Sequence, residues 1–136
     1  MPVMEFDNSL TIGHELIDEH HKTLVAIINM LHDALIGGVE QKYLHYIFNE
    51  FNEYISYYFS EEEIIMCDAM FEMKDEHITE HGSFLGRLSK FSEEYLEKED
   101  LISNRTIDWL VTWLTRHIFL MDTQHVVCLS EQPKGR

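Results

Sequence analysis

Apolar residues recur every three to four positions in four separate runs joined by short links. The first run, Ile17, His21, Leu24, Val25, Ile28, Leu31 and Leu35, starts beside Asp18, a residue suited to an N-cap, and Gly37-Gly38 ends it. This predicts a helix over about residues 18–36. A second set, Ile47, Phe51, Tyr54, Ile55, Tyr58, Glu62 and Ile65, predicts a helix over 41–66. Ser60 and Glu63 have capping-box spacing but fall inside this unbroken pattern, so they do not mark a helix start. After a link around Cys67 to Met70, the stripe His77, His81, Phe84, Leu88, Phe91 and Tyr95 predicts a third helix over 71–96, with the charged Glu97 to Asp100 as its solvated end. Ile107, Leu110, Leu114, His117 and Met121 predict a fourth over 103–122, capped by Ser103 or Thr106. Residues 1–17 have scattered apolar positions without period and read as an arm packed across the body. Four amphipathic helices joined by short links favour an all-α, up-down-up-down four-helix bundle, one domain over residues 1–136.

Composition agrees with helices. Of 136 residues, 45% are aliphatic, aromatic or cysteine, and six Gly and two Pro are the sole strong breakers. The formal charge of −15 and a pI near 4.8 argue against nucleic acid or an anionic membrane face as partners, since both need Lys and Arg on phosphate. No apolar run reaches the roughly 18 residues of a membrane span, and the first residues lack a basic segment followed by an apolar signal core. Cys67 and Cys128 have no metal-type spacing and read as reduced thiols. A soluble, cytoplasmic chain without membrane insertion is the expectation.

The candidate chemistry lies where polar residues interrupt the apolar stripes: His21 on the first helix, Glu62 on the second, His77 and His81 on the third, and His117 with the adjacent Asp122 on the fourth. His77 and His81 are one turn apart and project to the same side, which lets both imidazoles close on one ion. Solvated surface is the plain alternative for such a pair on an acidic chain. Two carboxylates on inward stripes, however, need partners, because an unpaired buried carboxylate costs several kcal/mol. Imidazoles and carboxylates without thiolate suit iron, manganese or zinc. Two acids from different helices could bridge two metals, so a dinuclear centre follows.

The stretches IDEHHKTL around His21, YFSEEEIIM around Glu62, HITEHGSF with His77 and His81, and WLTRHIFLMD with His117 and Asp122 resemble those of hemerythrins, in particular the bacterial hemerythrin-like domains. The resemblance spans essentially the whole chain. It implies two non-haem iron ions with a bridging oxo or hydroxo group, bridged also by Glu62 and Asp122. By the same likeness His77, His81 and His117 complete one iron, and His21 sits on the other. The family pattern on the second helix is His-Phe-x-x-Glu, whereas this chain reads Tyr58-Phe59-Ser60-Glu61-Glu62. Tyr58 thus stands at an expected histidine ligand, and three outcomes are open: coordination as phenolate, a side chain turned away, or a weakened second iron and a mononuclear site. A phenolate would favour ferric iron and oppose reversible oxygen binding.

The resemblance implies dioxygen as the partner, in a carrier or store or in a sensory domain linked to a signalling output. A binding module is expected rather than an enzyme, with no catalytic residue assigned. The enzyme alternative is peroxidase- or oxidase-like turnover arising from the altered ligand set at Tyr58, and a third reading is a storage or structural bundle. Of the remaining histidines, His20 lies about 100° round the helix from His21 and is expected to face outward. His14, His32 and His45 are expected at the surface or in the arm, and His125 is a lesser candidate near the pocket. Leu24, Ile28, Phe59, Phe84 and Leu114 are expected to line the centre, and Trp109 and Trp113 to pack with partial exposure.

Overall fold

Each amphipathic run folds into one helix, because only a bundle buries all four stripes at once. The computed structural model describes residues 3–5, 15–69, 74–98 and 102–118. It contains α1 (Glu15–Ile36), α2 (Gln41–Ala69), α3 (Lys74–Lys98) and α4 (Asn104–His117), with no strand among the described residues. The all-α four-helix bundle is therefore as expected. α1 begins at Glu15, inside the segment assigned to the arm, and α2 runs through Cys67 to Ala69, beyond the expected end near Met66.

The α1–α2 link is a Schellman turn. Gly38, at φ 77°, is in the left-handed region that glycine enters without a Cβ clash. Its N–H donates to Leu35 O at 3.2 Å, and the Val39 N–H donates to Ala34 O at 3.1 Å, which satisfies two carbonyls at the helix end. Ser103 is the N-cap of α4, with extended backbone, and its N–H donates to Thr106 Oγ1 at 3.2 Å. The Gln41 amide then ties the start of α2 to the approach to α4: Nε2 donates to Ile102 O at 3.0 Å, and Oε1 accepts from Ile102 N–H at 2.9 Å. Met4 is pinned in the same manner by Asn29 on α1, through bonds of 3.0 and 2.7 Å to its N–H and carbonyl.

α1 packs against α2 and α4, and α2 against α3. Ring stacking between Phe84 and Trp113, 3.7 Å apart and 11° from parallel, joins α3 to α4. Two tiers result. One end of the bundle is apolar, built from Leu31, Leu44, Phe48, Leu88, Ile102 and Ile107, all buried; Phe91 packs on Phe48 there at 5.0 Å. Burying each such side chain stabilises by about 1.5–3 kcal/mol before the entropy of ordering it is counted. The opposite end holds the N-terminal part of α1, the C-terminal half of α2, the first half of α3 and the end of α4, and there the core turns polar.

Candidate metal centre

Four helices deliver five polar side chains to this end: His21 from α1, Glu62 from α2, His77 and His81 from α3, and His117 from α4. All are at most 1% exposed. On α3 the spacing of four puts the imidazoles of His77 and His81 one above the other, 4.6 Å between centroids. Glu62 Oε1 lies 2.7 Å from His77 Nε2, 2.9 Å from His81 Nε2 and 3.5 Å from His117 Nε2. His117 Nε2 is in turn 3.2 Å from the Nε2 atoms of both His77 and His81. These four donor atoms all fall within 4.8 Å of one another.

The outer ring nitrogens decide what these inner atoms are. His81 Nδ1 meets Glu63 Oε1 at 3.2 Å, and His117 Nδ1 meets Glu80 Oε1 at 3.1 Å. A carboxylate can only accept, so each pair places an N–H on Nδ1, and a neutral ring then aims its Nε2 lone pair inward. The His117 hydrogen bond holds the Glu80 carboxyl below its usual range, against the opposing effect of partial burial. With the rings neutral, the lone pairs of His81 and His117 and a carboxylate oxygen converge on one buried point, an arrangement that a cation placed there stabilises. The donor set thus fits a metal ion, and its nitrogen and oxygen composition fits iron, manganese or zinc.

Glu62 has a second face. Tyr58 Oη donates to Glu62 Oε2 at 2.8 Å and lies 2.8 Å from His21 Nε2. Tyr58 is fully buried, and its side chain points into the centre rather than away from it. One carboxylate therefore serves two groups of donors, Oε1 toward the three imidazoles and Oε2 toward His21 and Tyr58. Aromatic walls close the imidazole side: Phe59 stacks on His81 at 3.8 Å and 7°, and Trp113 on His117 at 4.7 Å and 11°. Outside this wall a groove of about 320 Å³ between α3 and α4, lined by Glu80, Phe84, Arg87, Trp109, Trp113 and Arg116 among others, gives solvent access to Glu80.

Asp122, the expected second bridging acid, lies outside the described residues, as do His14, Met121, His125 and Cys128. Leu24, Ile28, Phe59, Phe84 and Leu114 are all buried, and Trp109 and Trp113 are partly so. Two histidine expectations are corrected. His20 is 5% exposed, not outward: its Nδ1 is 2.7 Å from Tyr54 Oη, and its ring packs on Tyr54, Tyr57 and Tyr58. A rotation of 100° from His21 still falls within the broad arc that α1 presents to α2. His45 is likewise buried, stacked against Phe91 at 6.1 Å and 14°, whereas His32 is half-buried. Glu63 and Glu80 were not among the expected site residues. Each lies one position off an inward stripe, and only its adjacency to Glu62 or His81 hints at a role.

Three imidazoles and a shared carboxylate, supplied by facing helices to one buried point, define a metal-binding four-helix bundle. The chain belongs to the hemerythrin family: residues 12–125 match the sequence profile of the Hemerythrin HHE cation binding domain. A bacteriohemerythrin of Pseudomonas paraeruginosa is 30% identical over 126 residues, which cover 93% of this chain and 81% of that protein. A bacteriohemerythrin of Clostridium acetobutylicum is 28% identical, covering 85% of this chain and 92% of its own length. Hemerythrin subunit 2 of Golfingia vulgaris is 23% identical, with 88% of each chain covered. The crystal structure of a wild-type hemerythrin has the same fold, with a TM-score of 0.88 at 22% identity over 94% of this chain and 98% of that one.

Proposed function

We propose that this chain is a non-haem di-iron module that binds dioxygen. One iron would be held by His77, His81, His117 and Glu62 Oε1, the other by His21 and Glu62 Oε2, and Asp122 would be the second carboxylate to bridge them. The observation that supports this best is the two-sided use of Glu62, because a carboxylate with separate donor groups at its two oxygens is suited to bridging two ions. A diferrous pair, when bound, supplies the two electrons that dioxygen binding draws upon. The protein's part is to hold the donors ready. Glu63 and Glu80 keep His81 and His117 in the tautomer that presents Nε2 inward. Phe59, Phe84 and Trp113 shield the imidazoles from bulk water, which would otherwise hydrate the centre.

A carrier, a store and a sensory input domain would all use such a centre. The deciding test is the visible spectrum of iron-loaded, anaerobically reduced protein as dioxygen is admitted and then removed. A band that appears and fades over repeated cycles is the expected result; a colourless protein without bound iron would overturn the reading. Tyr58 favours a second reading, peroxidase- or oxidase-like turnover, since a phenol stands within 2.8 Å of His21 and Glu62. Irreversible oxidation together with catalytic consumption of hydrogen peroxide would select it.

A further inference from the structure

We propose that Tyr58 is itself a metal ligand, bound through Oη at the position it shares with His21 and Glu62 Oε2. The inference rests on the iron-binding reading and adds to it a ligand of different chemistry. Its first support is spacing. Tyr58 Oη is 2.8 Å from both His21 Nε2 and Glu62 Oε2. Donors with bonds of about 2.0–2.2 Å to one ion, set near right angles, lie about 3 Å apart. The imidazole group on the other face of Glu62 shows similar separations, 3.2 Å between Nε2 atoms.

Confinement is the second support. Tyr58 has no exposed surface. Its ring is fenced by His20 at 5.4 Å, His21 at 5.5 Å and Phe59 at 5.6 Å between centroids. An ion arriving at His21 and Glu62 Oε2 therefore meets the phenol oxygen, which is buried and aimed at both.

Without an ion the three groups form a hydrogen-bonded chain. Tyr58 spends its one proton on Glu62, so His21 must donate its own Nε2–H to Tyr58 Oη. On metal binding the Oη–H bond breaks and an Oη–metal bond forms, and the proton leaves to solvent. His21 moves its one proton from Nε2 to Nδ1, remaining a neutral imidazole, and coordinates through Nε2. No electron moves in this step.

The two metal positions then differ in kind. Apart from the bridging Asp122, one has three imidazoles and an oxygen of Glu62; the other has an anionic phenolate in addition to the second Glu62 oxygen, with one imidazole. Hard anionic oxygen favours the higher charge, so the Tyr58 position is the harder of the two to reduce, and the diferrous pair that dioxygen binding draws upon is reached only at a lower potential.

The test is resonance Raman and visible spectroscopy of ferric-loaded protein, alongside metal analysis. The expected result is a phenolate-to-iron charge-transfer band whose ring modes shift with ring-deuterated tyrosine. The band should be absent from Tyr58→Phe, while iron persists at His77, His81 and His117. Tyr58→His serves if the Phe variant does not fold, and it should also raise the midpoint potential of the second iron. Bound iron with identical spectra in wild type and variants would overturn the ligand role and leave the iron reading standing. A protein that binds no iron would overturn both.

Discussion

Removing the outer carboxylates of His81 and His117 tests whether the imidazoles are held ready for a cation or merely packed. In Glu80→Ala the His117 Nδ1–H loses an acceptor at 3.1 Å, and its ring is freed to change tautomer. A hydrogen bond to a charged group contributes about 1.5–3 kcal/mol when well formed. This one is longer than the 2.7–2.9 Å of a strong charge-assisted bond, and the Glu80 side chain is 36% exposed. Solvent screening reduces it further, which leaves about 1.4 kcal/mol, or about tenfold in affinity. Glu63→Ala acts on His81 at 3.2 Å with 31% exposure, so a similar loss is expected. The two carboxylates support different imidazoles, and the double variant should therefore lose about a hundredfold, in keeping with losses of 10–100-fold for groups behind metal ligands. Glu80→Gln, which can still accept from Nδ1–H, should lose less than Glu80→Ala. The assay is competitive titration of ferrous or zinc ion against a chelator of known affinity, with circular dichroism confirming the fold. An affinity for Glu80→Ala within twofold of wild type would refute the reasoning.

Three further outcomes are expected. Phe59→Ala removes a side chain that is 2% exposed and touches Phe84, Trp113 and both stacked imidazoles. It should cost about 3–5 kcal/mol in urea denaturation. Gly38→Ala forces a Cβ into the left-handed region at φ 77° and should cost about 1–2 kcal/mol, seen as a lower Tm. Burial holds His20 below its ordinary pKa of 6.5, with Glu61 opposing. The unfolded chain therefore takes up a proton at His20 before the folded one does, so this histidine's contribution to stability is present above pH 6.5 and is lost as pH falls through its folded pKa. Metal-free His20→Asn should lose less stability than wild type between pH 7 and 5.5 in denaturant titrations at each pH; parallel curves would count against that.

How far the fold could be read from the chain depended on what each signal measures. Periodicity reports burial along one stripe, and Ile17 to Leu35 or Ile107 to Leu114 gave it clearly because each lies on a continuous inward face. The same logic placed His21, Glu62, His77, His81 and His117 on inward faces, where the bundle brings them together. It failed for His20 and His45, because an aromatic-rich neighbour covers a wider arc than the stripe itself. Tyr54 and Tyr57 reach over one, and Phe91 lies flat on the other. Glu63 and Glu80 were illegible for a different reason. A carboxylate at the rim reaches sideways to an imidazole on another helix, and nothing in its own helix's period records that reach. For Tyr58, the chain showed that a phenol replaces an imidazole, but only the fold showed that its oxygen lies between His21 and Glu62.

The amide of Gln41 joins residues 61 positions apart at the apolar end of the bundle, far along the helices from Glu62. Cohesion there comes from Phe48, Leu88 and Ile107 and from a neutral amide clasp, all indifferent to ions. At the other end the Phe59 and Trp113 stacks share the core with a carboxylate and imidazoles, whose donors a bound cation would draw together. Emptying the centre should therefore loosen the molecule from one end. Amide exchange at Phe59 to Glu63 and Ile78 to Gly82 should quicken in the metal-free protein, while that of Leu44 to Phe48 stays slow. The bundle would act as a rigid stem carrying a hinged, metal-fastened mouth.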